Sequence, residues 1–353
     1  MIDPLALLRE LVAAPSVSGS EGPALDRLEA ALRGAGLEPR RSGRNLWTAA
    51  GEGRPTLLLN AHVDTVPPSD SWTRDPFRPE VAEGRLYGLG SGDDKASVAA
   101  MAAAVASLSK ERFGGTVVFA ATCDEETGGE GLEVLRRELP PADAAVIGEP
   151  TNLRVATAQR GLIRIEAVAE GKPAHAARPH QGVNAIYRAV EDIQRLREMT
   201  FSKEHPLLGR PTVTVTQVQG GVSRNMVPPS CRFTVDVRTT PDYDNDFFVP
   251  ELRRRIRSQI PTLKARMIPV ETRADDRLVE AALEATGTKD PVGFGGVSDM
   301  FHVRDLPCVV LGPGEPEQSH RADESVPLAQ VTRAAEVYRA LVLQWAAPKA
   351  RRL

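Results

Sequence analysis

Four short apolar segments share one design, and this design limits the folds open to the chain. Each runs without polar alternation and ends in polar residues or glycine; they are 56–59, 116–122, 144–147 and 307–311. Strands that are covered on both faces have this pattern. Helical patterns separate them, with Leu25, Leu28 and Leu32 on one face, and with further helices over 96–108 and 326–343. This alternation predicts an α/β fold with a mixed, largely parallel sheet flanked by helices.

The pattern changes from about residue 162. Segments 162–169, 212–218 and 233–237 resemble strands with one exposed face, 183–199 and 247–260 are helical, and 266–270 is extended. The order βαββαβ predicts a ferredoxin-like sandwich of two helices on a four-stranded antiparallel sheet. Because the strand patterns before and after it are alike, we predict a catalytic domain of 1–160 plus 269–353, interrupted by an inserted lid and dimerisation domain of 161–268.

Composition excludes several classes of partner. The 353 residues are enough for two domains, and a net charge of −3 offers no basic field for nucleic acid or an anionic membrane. The longest apolar run, 98–108, is too short to span a bilayer, and the N-terminal residues lack a signal-peptide pattern. The three cysteines are far apart and form no CxxC pair, which favours a reducing compartment. We therefore expect a cytoplasmic protein with a small-molecule ligand.

Polar side chains with metal-binding chemistry follow these apolar strands. His62 and Asp64 are two residues apart on a strand and therefore share a face. Asp64 could accept a hydrogen bond from one ring nitrogen of His62 and leave the other free for a metal. The alternative is a histidine whose hydrogen bonds are satisfied near the surface.

The segment GLGSGDDKAS, residues 88–97, places Asp93 and Asp94 before a helix. Its GxGxG spacing and the lack of a convincing preceding strand argue against a dinucleotide loop. The two aspartates could cap the helix or hold a cation.

Further candidates follow the other strands: Glu125, Glu126, Glu149 and His320. Adjacent carboxylates are costly unless they are solvated or paired with positive charge, so a surface acidic turn is the alternative for the glutamate pair. Ligands of parallel sheets gather beyond the carboxyl ends of the strands. Two histidines with several carboxylates suit a pair of zinc ions, and an unused carboxylate could act as general base.

At this point five motifs, in order along the chain, resemble the di-zinc aminoacylase and metallopeptidase family. This family includes acetylornithine deacetylase, succinyl-diaminopimelate desuccinylase and glutamate carboxypeptidases. The motifs are HVDTVP (62–67), GSGDDK (90–95), DEE (124–126), GEPT (148–151) and SHRADE (319–324). The resemblance covers nearly the whole chain.

The resemblance implies two Zn²⁺ ions per subunit, with Co²⁺ as a substitute. Asp93 would bridge both ions, His62 and Glu149 would complete one site, and Glu126 and His320 would complete the other.

The resemblance also assigns roles next to the metals. Glu125 would be the general base that takes a proton from the bridging water, and Asp64 would orient His62. The peptide bond between Asp93 and Asp94 would be cis, as is typical in the family.

Three residues of the inserted domain match family positions that contact substrate. His175 would stabilise the oxyanion, Arg238 would bind the substrate carboxylate, and Asn225 would orient the amide or contact the carboxylate. The alternatives are a loop histidine for His175 and a surface salt bridge for Arg238. The resemblance also implies a homodimer formed through the inserted domain.

The implied reaction is metal-dependent hydrolysis of an N-acyl amino acid. The motifs most resemble those that cleave N-acetyl-L-ornithine to L-ornithine and acetate in arginine biosynthesis. Leu89, Ala96 and Ser97 depart from the common family pattern, and Asp299 could meet a substrate ammonium or be structural. Succinyl-diaminopimelate, N-acetylcitrulline, N-acetyllysine and dipeptides remain open as substrates. The alternative of another class is a metal-binding protein without turnover.

Overall fold

The computed structural model describes residues 1–129 and 131–347. The chain forms two compact units. The first comprises Met1–Thr157, Thr272–Phe294 and the described residues from Ser298 onward, and the second comprises Ala158–Glu271 and Gly295–Val297.

The elements are as follows. The α-helices are α1 (Pro4–Val12), α2 (Gly22–Gly34), α3 (Lys95–Leu108), α4 (Gly131–Leu135), α5 (Ala185–Arg197), α6 (Asn245–Arg255), α7 (Arg277–Thr286) and α8 (Leu328–Ala346). The strands are β1 (Arg40–Ser42), β2 (Asn45–His62), β3 (Glu80–Ala82), β4 (Arg85–Tyr87), β5 (Gly114–Thr122), β6 (Ala144–Ile147), β7 (Ala156–Gln159), β8 (Gly161–Glu170), β9 (Thr212–Gly220), β10 (Ser230–Thr239), β11 (Gln259–Met267), β12 (Val270–Glu271), β13 (Val292–Phe294), β14 (Cys308–Val310) and β15 (Ser325–Pro327).

A mixed sheet forms the centre of the first unit. Its order is β1-β2-β6-β14-β7, with β5 paired to β2 and β13 paired to β7; the last two residues of β7 belong to the second unit, where they pair with β12. The pairs β2–β6 and β6–β14 are parallel, and residues 56–62 of β2 run parallel to β5. Every residue of β6 and β14 is buried, as the continuous apolar segments predict. The predicted mixed, largely parallel sheet is therefore confirmed.

Helix α3 lies in the core of the first unit. Every residue of this helix except Ser107 is buried, and it packs against α1, α8 and β2. Its run of alanines lets neighbouring elements approach closely, because each side chain is only a methyl group. No helix among the described residues is long and apolar enough to cross a membrane.

The second unit contains the predicted βαββαβ order. Strands β8, β9, β10 and β11 form an antiparallel sheet in the order β11-β8-β10-β9, with α5 and α6 packed on it. Its core includes Ile163, Phe233, Val235 and Phe248. The sequence patterns therefore predicted the order of this sandwich correctly, but the last strand lies at Gln259–Met267 rather than at 266–270.

The prediction of the second helix in this unit, residues 247–260, is wrong at its C-terminal end. Helix α6 ends at Arg255, and Gln259 already begins β11. The carboxylate of Asp192 accepts hydrogen bonds from the backbone N–H groups of Arg257 and Ser258, which directs the chain away from the helix.

Candidate metal centre

Strand ends and loops bring the five predicted ligands into one cluster. His62 is the last residue of β2, Glu126 follows β5, and Glu149 follows β6. Asp93 lies on residues 88–94, which we term the glycine-rich loop, before α3, and His320 lies before β15. The ligand atoms form two groups that share Asp93, and within each group they lie within 4.8 Å of one another. These residues could therefore hold metal ions.

The first group, which we term the inner triad, consists of His62, Asp93 and Glu149, all buried. The Nε2 atom of His62 lies 3.1 Å from Asp93 Oδ1, and its Nδ1 atom lies 3.0 Å from the backbone oxygen of Asp64. If Nδ1 carries the proton and donates to this oxygen, Nε2 presents its lone pair to the inner triad. The imidazole is then oriented for a metal.

A glycine allows Glu149 to reach this position. A Cβ atom on the preceding Gly148 would lie 2.6 Å from both Asp94 Oδ2 and Ser97 Cβ, at the start of α3. Only glycine therefore fits between the end of β6 and α3 at this point.

The second group, the outer triad, consists of Asp93, Glu126 and His320. The Nε2 atom of His320 lies 2.9 Å from Glu126 Oε2 and 3.7 Å from Asp93 Oδ2. The side chain of His320 is 55% exposed, whereas that of His62 is 2% exposed. Water therefore reaches one triad much more than the other.

Electrostatics favour a cation at this cluster. Burial, and then the charges of Asp93 and Glu125, raise the pKa of Glu149 well above its usual value. Burial by itself lowers the pKa of His62, but its contacts with Asp64 and Asp93 outweigh this effect and raise it. The hydrogen bond with Glu126 raises the pKa of His320 to about 8. Several carboxylates thus surround two imidazoles, and positive charge would relieve their repulsion.

Glu125 belongs to neither triad and is half-buried beside them. Burial is the main cause that raises its pKa well above the usual value, and the charge of Asp299 adds to this effect. A carboxyl group with a raised pKa is a suitable proton carrier. The Asp93–Asp94 peptide bond is cis, as the resemblance implied.

Asp64 makes more contacts than the sequence predicted. Its Oδ1 atom lies 3.6 Å from His62 Nδ1, so its nearest contact to the ring is through its own backbone oxygen. Its carboxylate accepts hydrogen bonds from Ser18 Oγ and from the backbone N–H groups of Glu125 and Glu126. Asp64 therefore fixes the segment 124–126, which we term the acidic loop, as well as His62.

Lys95 and Asp299 have buried contacts that the sequence does not reveal. The Lys95 side chain is buried, and its Nζ atom donates to the backbone oxygens of Leu11 and Ala14. The buried carboxylate of Asp299 accepts from the side chains of Asn60 and Thr122 at strand ends. Burial of Asp299 among neutral donors was not visible in the sequence, although its acidic character was.

The predicted substrate-contacting residues lie in the second unit. His175 and Asn225 are exposed, and the backbone N–H of Ala176 donates to the backbone oxygen of Asn225. The guanidinium of Arg238 pairs with Asp236, at 2.8 Å between Nε and Oδ1. The salt bridge considered as the alternative for Arg238 is therefore present.

Two adjacent metal-binding triads with a spare carboxylate, at the edge of an α/β sheet, are typical of two-metal hydrolases. The chain belongs to peptidase family M20/M25/M40, whose sequence pattern matches residues 58–344. It is therefore a metallohydrolase of this family.

Curated relatives match the chain over almost its full length. Succinyl-diaminopimelate desuccinylase of Phenylobacterium zucineum is 30% identical, with 98% of each chain covered. Acetylornithine deacetylase of Myxococcus xanthus is 32% identical, with 93% of each chain covered. Two relatives of nearly equal similarity to this chain are thus named for different substrates.

Solved structures share the fold. Aminopeptidase PepT from Bacillus cereus superposes with a TM-score of 0.81 at 22% identity, covering 98% of this chain and all of that one. A protein of Bacillus subtilis, described as a dinuclear metal-binding peptidase of the M20 family, gives a TM-score of 0.75 at 18% identity, covering 96% of each chain.

Proposed function

We propose that this protein hydrolyses the amide bond of an N-acyl amino acid, most specifically N-acetyl-L-ornithine, giving L-ornithine and acetate in arginine biosynthesis. One observation carries the proposal: Asp93 belongs to both triads, and the spare carboxylate of Glu125 lies beside them. The acetylornithine deacetylase of Myxococcus xanthus supports the choice of substrate.

The two triads would each hold one zinc ion, and Asp93 would contact both. Imidazole nitrogens and carboxylate oxygens are ligands that Zn²⁺ accepts, and Co²⁺ accepts the same donors. A bound metal pair would supply Lewis acidity toward the amide carbonyl and would lower the pKa of a water molecule. The buried carboxylates of Asp93 and Glu149 fit such a dication, because they otherwise lie close together without enough positive charge.

Glu125 would take a proton from the attacking water and return it to the leaving nitrogen. Its backbone N–H donates to Asp64, so the carboxyl group starts from a fixed main chain. Replacement Glu125→Gln should lower kcat by about 10²–10⁴-fold, because the amide cannot accept the proton. Metal content should stay at two ions per chain.

The neighbouring residue offers a matched comparison. Glu126→Gln changes the same chemical group one position along, but Glu126 is in the outer triad. This variant should lose the ion of that triad, whereas Glu125→Gln should keep it. Unchanged turnover in Glu125→Gln would remove Glu125 as the base.

On the substrate side, we assign the oxyanion to His175 and the substrate carboxylate to Arg238 and Asn225. Arg238 offers a planar pair of N–H donors that matches a carboxylate. Since the Arg238 guanidinium contacts Asp236, a substrate carboxylate must either share the guanidinium with Asp236 or displace Asp236 from it.

A succinylated substrate is the second candidate, because the desuccinylase of Phenylobacterium zucineum matches the whole chain at 30% identity. The test is a substrate panel with zinc-loaded or cobalt-loaded protein, following release of acetate, succinate or free amine. It should contain N-acetylornithine, N-acetylcitrulline, N-acetyllysine, N-succinyl-diaminopimelate and a dipeptide. Preference for the succinyl compound would replace our first choice. If two-zinc protein cleaves none of them, a metal-binding protein without turnover is favoured.

We also propose a homodimer formed through the second unit. Strand β9 is at one edge of its sheet and has no buried residue, and its Val218 is 57% exposed. Val222, just after the strand, and Tyr187, on α5, are 75% and 70% exposed. Sheet edges with exposed apolar side chains favour pairing with another chain. Sedimentation equilibrium should give twice the chain mass; a single-chain mass at micromolar concentration would contradict the proposal.

A further inference from the structure

Three backbone N–H groups of the glycine-rich loop converge on one side chain. The carboxylate of Glu324 accepts from Gly90 at 2.9 Å, from Gly92 at 2.8 Å and from Asp93 at 2.9 Å. Glu324 is 2% exposed, so these hydrogen bonds are shielded from water. Hydrogen bonds between N–H groups and a carboxylate are about twice as strong as neutral ones.

The path of this loop explains the convergence. Gly90 has a φ of +74°, a conformation that favours glycine, and its turn directs neighbouring N–H groups to one side. Successive N–H groups arranged in this way form a concave site for an anion. Glu324 supplies that anion from within the chain, and Asp93 is held at the third N–H.

The main chain around Glu324 is also fixed. The N–H of Gly88 donates to the backbone oxygen of Glu324, and Ser325 pairs with Tyr87 between β15 and β4. The carboxylate of Asp323 accepts from the backbone N–H groups of Thr73 and Arg74, at 3.0 Å each. The segment that follows His320 is therefore attached to two other parts of the first unit.

We propose that Glu324 is a positioning residue: it fixes Asp93, the ligand common to both triads, relative to His320 four residues earlier. The two ligands come from distant parts of the sequence, and the Glu324 carboxylate joins the segment of His320 to the backbone N–H of Asp93 itself. In a two-metal site the ions are about 3.5–4 Å apart, so a small shift of the shared ligand disturbs both sites. This inference rests on the metal binding in the proposed function, but not on the identity of the substrate.

The first experiment is metal titration of Glu324→Gln by calorimetry, starting from metal-free protein. The glutamine amide places an N–H₂ group against an N–H donor of the loop, so at least one hydrogen bond is lost. We expect affinity for zinc to fall by about 10–100-fold, the usual effect of losing a residue that orients a metal ligand. In the same variant, kcat should fall while KM stays close to the wild-type value.

Asp323→Asn is the matched control. It alters the adjacent carboxylate, which also accepts two backbone N–H groups, but these lie at Thr73 and Arg74 rather than on the glycine-rich loop. Zinc affinity should fall much less than in Glu324→Gln, because the Asp323 carboxylate holds the segment after His320 but does not contact the loop that carries Asp93. Equal zinc affinity in folded Glu324→Gln and in wild type would overturn the proposal, and so would an equal loss in both variants.

Amide hydrogen exchange in the wild-type protein tests the contacts between Glu324 and the glycine-rich loop. This measurement does not depend on whether the variant folds. In metal-free wild type, the amides of Gly90, Gly92 and Asp93 should be protected; rapid exchange at these amides in the folded protein would overturn the proposal. In Glu324→Gln their exchange should be faster, with the strands of the first unit unaffected. If wild type binds two ions but cleaves no amide, the proposed reaction fails while this result for Glu324 stands.

Discussion

The inner and outer triads share Asp93, but they are built on different kinds of structure. In the inner triad, His62 ends a central strand, its ring is 2% exposed, and its Nδ1 atom contacts a backbone oxygen. In the outer triad, His320 lies on a connecting segment, is 55% exposed, and has a left-handed backbone with a φ of 59°. The inner triad therefore has its histidine buried at the end of a strand, whereas the outer triad has its histidine exposed to solvent on a loop.

This difference predicts unequal metal binding. Ligands held by packed strands keep their geometry without a metal, whereas loop ligands must be ordered when the ion binds. We therefore expect the inner triad to bind its ion more tightly and to release it more slowly than the outer triad. The outer ion should be the one that a chelator removes first.

Replacement of Asp93 should have the largest effect, because it removes the ligand that both triads share. Asp93→Asn should weaken both metal positions and lower kcat/KM by roughly 10³-fold or more, since a catalytic metal contributes several kcal/mol. Metal content after gel filtration and the hydrolysis rate are the measurements. The control is Asp94→Asn, which alters the next buried carboxyl group but belongs to neither triad. Two tightly bound ions in Asp93→Asn would show that Asp93 is not shared.

The same substitution at each histidine should separate the two triads. In metal-free protein, His62→Asn should lower the free energy of unfolding by about 1–3 kcal/mol, because it leaves buried partners without their contact. His320→Asn should change it by less than about 0.5 kcal/mol, as for other exposed positions, and asparagine tolerates the left-handed backbone. Thermal or urea denaturation gives both values.

Metal content of these two variants gives the second half of the comparison. His320→Asn should keep one tightly bound ion, whereas His62→Asn should keep only a weakly bound one. If His62→Asn retained the tighter ion, the outer triad would be the stronger site and the ranking from burial would be wrong.

The sequence predicted those parts of the fold that depend on local patterns. Apolar runs predicted β5, β6 and β14, and the alanine-rich segment predicted α3, because burial on all sides needs continuous apolar residues. Only the second half of the long strand β2, from residue 56, is recognisable from the sequence. Its first half pairs with β5 as well, but the exposed residues at 51–54 resemble a turn that separates two elements.

The candidate site was predictable where side chains themselves have the required chemistry. The histidines and carboxylates could be placed together because the ends of parallel strands meet at one edge of a sheet. The contacts of Glu324 were not predictable, because its partners are backbone N–H groups, which every residue except proline has. Ser18 was missed for a related reason: it lies 46 residues from Asp64, and a lone serine gives no signal for a distant partner.

Ser18 leads to the smallest effect that we predict, at a position one contact away from both triads. Its hydroxyl group donates to Asp64 Oδ2 at 2.7 Å, and Asp64 also holds the backbone of Glu125 and Glu126. Ser18→Ala should lower stability by about 1 kcal/mol, the usual contribution of one hydrogen bond. Because the acidic loop then loses part of its support, kcat should fall by about tenfold at most, with metal content unchanged.

A nearby serine separates the loss of a hydrogen bond from the loss of support for the site. Ser16 Oγ donates to the backbone oxygen of Val63 at 2.8 Å, so Ser16→Ala removes a similar hydrogen bond without touching Asp64. Both variants should lose similar stability in denaturation, but only Ser18→Ala should lose rate. Equal rates in the two variants would show that the Asp64 carboxylate holds Glu125 and Glu126 without help from Ser18.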